Sequence, residues 1–132
     1  MVTANRVFVT YAWVATGGAI GSMARLWVGN VVASLVGATF PWGTLFINII
    51  GSIVIGWFDG LTGAAGRLAV PAEMRAFVMV GLCGGFTTFS AFSLQTLELA
   101  EGGEMLRAAT YVVASVALCL LGVWTGAMLG RV

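Results

Sequence analysis

Polar side chains recur at helical spacing within two strongly apolar stretches of the sequence. Thr44, Asn48 and Ser52 lie at positions i, i+4 and i+8, which places them on one face of a helix. A second set has the same spacing, namely Tyr111, Ser115 and Cys119. Hydroxyl and amide groups donate hydrogen bonds to a dehydrated ion, so the two sets favour a polar track. The alternative is that Asn48 forms an interhelical hydrogen bond worth about 0.6 to 2 kcal/mol.

Three glycines fall within five residues, at Gly81, Gly84 and Gly85. They are expected to unwind a helix at this point. Irregular backbone at membrane depth is tolerated where it lines a cavity, and its free carbonyls can hold a cation. The alternative is that Gly81 and Gly85, which have G-x-x-x-G spacing, only let two helices pack closely.

Aromatic and hydroxyl side chains follow these glycines. Phe89 and Phe92 are three residues apart and share a helix face, with the hydroxyls of Ser90 and Ser93 beside them. An aromatic pair in a membrane helix usually serves packing. Here the hydroxyls and the predicted helix break favour a pair that lines an ion pathway.

The ionisable residues exclude several classes of function. The sequence has no histidine and two cysteines, so the usual imidazole base and His/Cys metal sites are missing, and we expect no enzyme. A net charge of +1 leaves no basic surface for nucleic acid. Arg25 lies within an apolar stretch, where it either extends to the interface or serves a water-filled vestibule.

Membrane helices have to position these residues. The chain has 132 residues, of which 60% are hydrophobic and 8% charged, whereas soluble domains average about 25% charged. The charges bound four long uncharged stretches, and Gly37 and Pro41 predict a turn that divides the longest. We predict a single all-α integral membrane domain over residues 1–132. Its four spans are at about 7–32, 41–61, 72–99 and 106–129.

Small residues predict how these spans pack. Glycine recurs every four residues on the second and fourth spans, at Gly56 and Gly60 and at Gly122, Gly126 and Gly130. Such faces let helices approach closely. Because four short spans do not readily enclose a pore, we expect a dimer or a higher assembly.

Three fragments resemble the Fluc (CrcB) family of bacterial fluoride channels. They are GGAIGSMAR at 17–25, GTLFINIIGS at 43–52 and GGFTTFSAFS at 84–93. Each fragment alone is modest, but the three occur in order in a four-span chain. The sequence differs from the family pattern at Gln95, where glutamate is usual, and at Cys119, where serine is expected.

The resemblance implies a fold, a function and a set of site residues. It implies a homodimer of oppositely oriented subunits in the cytoplasmic (inner) membrane, with a broken third helix and passive, fluoride-selective efflux. It also implies a structural, central sodium ion (Na+) held by backbone carbonyls of Gly84 and Thr87. The remaining positions it matches are Arg25 at the vestibule or in a structural role, and along the ion pathway Asn48, Phe89, Phe92, Tyr111 and Ser115. The hydroxyls of Thr44 and Ser90 are further candidate donors along this pathway, chosen from their residue type and position.

Two other functions are considered beside the fluoride channel. A small proton-coupled multidrug exporter is also a four-span dimer, but it needs a membrane-embedded carboxylate, and no acidic residue precedes Asp59. A non-transporting membrane scaffold, held together by the glycine faces, is the third interpretation.

Overall fold

The apolar stretches of the sequence form long helices. The computed structural model describes residues 2–64 and 66–132, which contain helices and no strand. Consecutive helical segments Ala72–Arg75, Ala76–Cys83 and Gly84–Phe86 together form α3. The other helices are α1 (Val2–Val36), α2 (Trp42–Thr62), α4 (Phe89–Glu101) and α5 (Met105–Arg131).

Four stretches are long and apolar enough to cross a membrane: Arg6–Val36, Trp42–Thr62, Ala72–Glu101 and Met105–Arg131. Large apolar side chains lie exposed on the outside of the bundle, as lipid contact requires, among them Phe8, Trp27, Leu106 and Leu120. The predicted all-α membrane class is therefore confirmed.

The first helix extends further than its predicted span. The sequence predicts a span over 7–32, whereas α1 continues to Val36. It ends at Gly37, which has a φ of +86° and whose N–H donates to the Ala33 carbonyl at 3.0 Å. A left-handed glycine of this kind closes a helix without the steric penalty that a Cβ brings.

Glycine faces hold the helices together in two pairs. A Cβ on Gly21 of α1 would lie 2.2 Å from the Leu82 carbonyl oxygen of α3. A Cβ on Gly56 of α2 would lie 2.2 Å from the Val123 carbonyl oxygen of α5. Backbones this close leave no room for a side chain, so the predicted close packing of the α2 and α5 glycine faces is confirmed.

The glycines at 81–85 do not unwind α3, and the expectation that they do is wrong. Gly81 lies within the π-helical segment Ala76–Cys83, while Gly84 and Gly85 are α-helical. Gly81 and Gly85 instead pack against the α1 backbone around Gly17 and Gly18. Intrahelical hydrogen bonds and this packing together favour the helical conformation, which glycine alone does not disrupt.

The backbone leaves the helical conformation two residues later. Thr87 (φ −84°, ψ 161°) and Thr88 (φ −153°, ψ 121°) are extended between the end of α3 and the start of α4. The Thr88 hydroxyl oxygen accepts the Ala91 N–H at 3.2 Å and so caps α4. A new helix therefore begins at Phe89 and carries the phenylalanine pair.

Candidate functional site

Asn48 joins the middle of α2 to the extended residues between α3 and α4. Its Nδ2 donates to the Thr88 carbonyl oxygen at 3.0 Å, and its Oδ1 accepts the Thr88 N–H at 2.8 Å. The amide thus pairs with the Thr88 backbone much as a neighbouring strand does. The second Nδ2 proton has no acceptor in the described part of the chain, so Asn48 keeps one donor for a ligand.

This pairing and the Thr88 cap each release one backbone carbonyl. In a continuous α-helix the Gly84 carbonyl accepts from the Thr88 N–H, but that N–H donates to Asn48. The Thr87 carbonyl likewise pairs with the Ala91 N–H in a helix, but that N–H donates to the Thr88 hydroxyl. The carbonyls of Gly84 and Thr87 therefore both lose their helical partner at the interruption.

A groove of about 380 Å³ runs along the membrane face of the chain beside this interruption. Six of the sequence-predicted residues line it together: Asn48, Gly84, Thr87, Phe89, Phe92 and Ser115. None of the residues that the structure places in its lining is charged. The groove therefore offers neutral donors inside an apolar wall.

The two phenylalanines occupy different environments. Their ring centroids are 5.3 Å apart at an interplanar angle of 49°. Phe92 is 8% exposed and packs with Leu45 and Tyr111, whereas Phe89 is 77% exposed. In a single chain, Phe92 belongs to the core and Phe89 forms an outer edge of the groove.

Ser115 holds the clearest unused hydrogen-bonding group of the groove. The residue is 6% exposed, and its Oγ has no hydrogen-bond partner among the described residues. Buried hydroxyls are paired in most proteins because an unpaired one costs about 1 to 3 kcal/mol. The Ser115 Oγ is therefore available to a ligand in the groove.

Tyr111 lies next to the groove but does not line it. The side chain is fully buried, and its hydroxyl donates to Gln95 Oε1 at 3.0 Å. A tyrosine hydroxyl has one proton, so this bond has to break before Tyr111 can donate to an ion. The Gln95 side-chain amide therefore determines whether the Tyr111 hydroxyl is free to donate to an ion.

A second cavity, of about 760 Å³, lies on the other side of Thr88. Arg25, Thr44 and Gln95 line it, and Arg25 is half-buried there. The vestibule role of Arg25 stays a prediction. Thr88 lines both cavities and so lies between them.

Ser90 is separate from the groove lining. It is exposed on α4, and its Oγ lies 3.2 Å from the Thr88 Oγ1.

Among the described residues, no group of three or more His, Cys, Asp or Glu side chains comes close enough to hold a metal ion.

The importance of Thr88 was not predicted from the sequence. It pairs with Asn48, caps α4 and lies between the two cavities. A threonine just before an aromatic helical run is typical of an N-cap, and this signal in the sequence indicates where α4 starts. Its contact with Asn48, 40 residues away, has no such local signal.

Comparisons with known proteins agree over most of the chain. A family model described as CrcB-like protein, Camphor Resistance (CrcB), matches residues 12–127. A Rhodospirillum rubrum protein named fluoride-specific ion channel FluC is 58% identical over 118 residues, which cover 89% of this chain and 92% of that protein. Proteins with the same name from Methylocella silvestris and Paramagnetospirillum magneticum are 56% and 58% identical, over 88% and 89% of this chain and 88% and 92% of their own lengths. The matched residues include Asn48, the interruption at Thr87–Thr88 and the α5 hydroxyls.

Proposed function

The chain belongs to the CrcB family, and we propose that it is a fluoride-specific ion channel of the cytoplasmic (inner) membrane that mediates passive fluoride efflux. Relatives with that printed name are 56 to 58% identical to it over nearly its whole length. The observation that carries the proposal in the structure is the unpaired Ser115 hydroxyl inside an uncharged, membrane-depth groove. It is a channel rather than an enzyme.

Fluoride is small and strongly hydrated, so a narrow pathway has to replace its water with other donors. The free Nδ2 proton of Asn48 and the hydroxyl of Ser115 supply two donors in the groove. Thr44 in the second cavity and Ser90 beside Thr88 add hydroxyls outside the groove lining, and Tyr111 adds a third when it leaves Gln95. Successive donors let the ion exchange one partner for the next without complete dehydration.

The phenyl rings complete the lining. A ring edge carries positive potential, so Phe89 and Phe92 can face an anion edge-on. Their carbon atoms present no lone pair to a cation. With no carboxylate in the described lining, this groove favours anions.

The same groove supports a homodimer of oppositely oriented subunits. In one chain it is open to the side, and Phe89 is 77% exposed next to polar backbone. Polar groups that face hydrocarbon without partners cost several kcal/mol, on the order of 2 to 7 each. A second copy placed over the groove removes them from lipid and closes the pathway on that side.

The interruption at Thr87–Thr88 supports a third membrane span that is broken at mid-membrane. Carbonyls released there are the type of ligand that holds Na+ in broken membrane helices. Gly84 and Thr87 fit this role because both have lost their helical N–H partners. Two carbonyls are too few for a cation, so the proposed central sodium site needs both subunits. A bound sodium ion supplies positive charge that draws the two interruptions together.

The function is tested by ion flux from liposomes that contain the purified protein. We expect rapid fluoride efflux and very little chloride efflux under the same gradient. Empty liposomes and liposomes with an unrelated four-span protein provide the background. Equal rates for the two halides would contradict a fluoride-specific pathway, and a proton-driven cation flux would favour an exporter.

A further inference from the structure

Both cysteines of the chain line the groove. Cys83 reaches it from α3 and Cys119 from α5, and Ser115, with its unpaired Oγ, lies one turn before Cys119. Cys83 is buried at 3% exposure, whereas Cys119 is half-buried. Cys119 is therefore the more accessible of the two thiols.

The ligand class follows from what these residues can coordinate. Zinc takes about four ligands in a closed site. Within residues 2–64 and 66–132, no group of three or more His, Cys, Asp or Glu could hold such an ion. A soft cation that prefers thiolate and binds in a linear, two-coordinate manner needs a single sulfur from the protein. Mercury(II) and silver(I) are ions of this kind.

We propose that the groove is a binding site for a soft, thiol-seeking metal cation at Cys119, and that the bound metal blocks ion passage. The blocking effect rests on the proposed channel function, whereas the binding site does not. The apolar wall formed by Val116 and Leu120 next to Cys119 suits a neutral metal adduct. A heavy atom bound there lies in the space beside Ser115 that a conducted ion needs.

The reaction with mercuric chloride as the probe is a substitution. A sulfur–mercury bond forms at Cys119 as one mercury–chlorine bond breaks. The thiol proton and the chloride leave to water, and no electrons are transferred. The product is a neutral thiolate–mercury–chloride group, which an excess of dithiothreitol removes by the reverse exchange.

The flux test compares three proteins in liposomes, each against its own metal-free rate. We expect mercuric chloride to reduce wild-type fluoride flux about tenfold or more, because a narrow pore tolerates little obstruction. Cys83→Ser, the matched control at the other thiol of the groove, should be blocked in the same way. Cys119→Ser should keep its metal-free rate when mercuric chloride is added. Dithiothreitol should restore the fluoride flux of the wild type and of Cys83→Ser.

A measurement independent of flux counts bound mercury by intact-protein mass spectrometry at one equivalent of mercuric chloride per chain. We expect one mercury per chain in wild type and in Cys83→Ser, and none in Cys119→Ser. Inhibition that persists in Cys119→Ser, or mercury at Cys119 without loss of flux, would overturn the inference. If the wild type moves no fluoride before metal is added, the channel function fails, and the mercury count still decides whether Cys119 is the binding site.

Discussion

Ser115 separates a role in conduction from a role in stability. Most buried hydroxyls stabilise the fold, because each is bonded to a neighbour whose position it fixes. The Ser115 Oγ has no such neighbour in the described chain, so its removal breaks no protein hydrogen bond. The unpaired hydroxyl therefore destabilises the folded protein, whereas it stabilises an ion bound in the groove.

Ser115→Ala is expected to lower fluoride flux about tenfold, equivalent to about 1.4 kcal/mol of barrier, because one donor is lost. The melting temperature of the purified protein should stay unchanged or rise, since an unsatisfied polar group is removed. Thr110→Ala is the matched control on the same helix. Its Oγ1 already donates to the Leu106 carbonyl at 2.8 Å and lies outside the groove. Unchanged flux with a lower melting temperature in Ser115→Ala would assign this hydroxyl to packing.

Replacing Phe89 and replacing Phe92 are expected to affect stability differently, which their sequence spacing does not predict. Phe89→Ile and Phe92→Ile both remove a ring edge, so both should reduce flux per folded protein. Only Phe92→Ile should reduce stability, by about 1 to 3 kcal/mol, because its ring fits between Leu45 and Tyr111. Flux normalised to the folded peak on size exclusion, with thermal melting of each variant, separates the two effects. Normal flux in both variants would return the rings to a packing role.

At the scale of helices, α1 and α3 are held at a distance that only glycine permits. Gly21→Ala places a Cβ 2.2 Å from the Leu82 carbonyl oxygen and should destabilise the protein by about 1 to 3 kcal/mol. Gly18→Ala, less than one turn away, meets no atom within 4 Å. It should be neutral or stabilising by up to about 1 kcal/mol, because alanine favours helix. Thermal melting of both variants in detergent tests this expectation. Equal changes in melting temperature for Gly21→Ala and Gly18→Ala would contradict the close approach of α1 and α3.

The four membrane spans could be predicted from the sequence, but the interruption between α3 and α4 could not be placed correctly. Gaps between charges determine the spans, since burying a charge in lipid is costly wherever it falls. The interruption depends on a competition for one amide, that of Thr88, between the Gly84 carbonyl and Asn48. Asn48 lies on another helix, so no pattern within residues 81–93 reveals the outcome. Glycine content therefore predicted a break over five residues, 81–85, which ends before the observed two-residue interruption at Thr87–Thr88.

The candidate site also has features that the sequence predicts and features that depend on tertiary packing. Helical spacing selected four residues that share one groove, Asn48, Ser115, Phe89 and Phe92, but it also selected Thr44 and Tyr111, which lie outside the groove lining. The bond from Tyr111 to Gln95 and the different burial of the two phenylalanines depend on how α4 packs against α5. Periodicity identifies a face, and tertiary packing decides which groups on that face remain unpaired.

At the scale of the whole molecule, one chain leaves its functional groups incomplete. The groove is open on one side, and the carbonyls of Gly84 and Thr87 supply fewer oxygens than a sodium ion requires. In the proposed homodimer, a second copy related by a two-fold axis would double the carbonyls and cover the groove. Dimerisation and cation binding are therefore expected to be coupled.

That coupling predicts that sodium stabilises the assembled protein. A ligand that binds only the folded dimer adds roughly 2.7 kcal/mol when its concentration is about 100-fold above its Kd. The melting temperature and the dimer fraction should therefore both rise as sodium replaces choline at constant ionic strength. Thr87→Ser keeps the backbone carbonyl and a hydroxyl that can bond the Cys83 carbonyl, so it should respond to sodium as the wild type does. A dimer whose melting temperature is the same in sodium and in choline would show that these carbonyls hold no sodium ion.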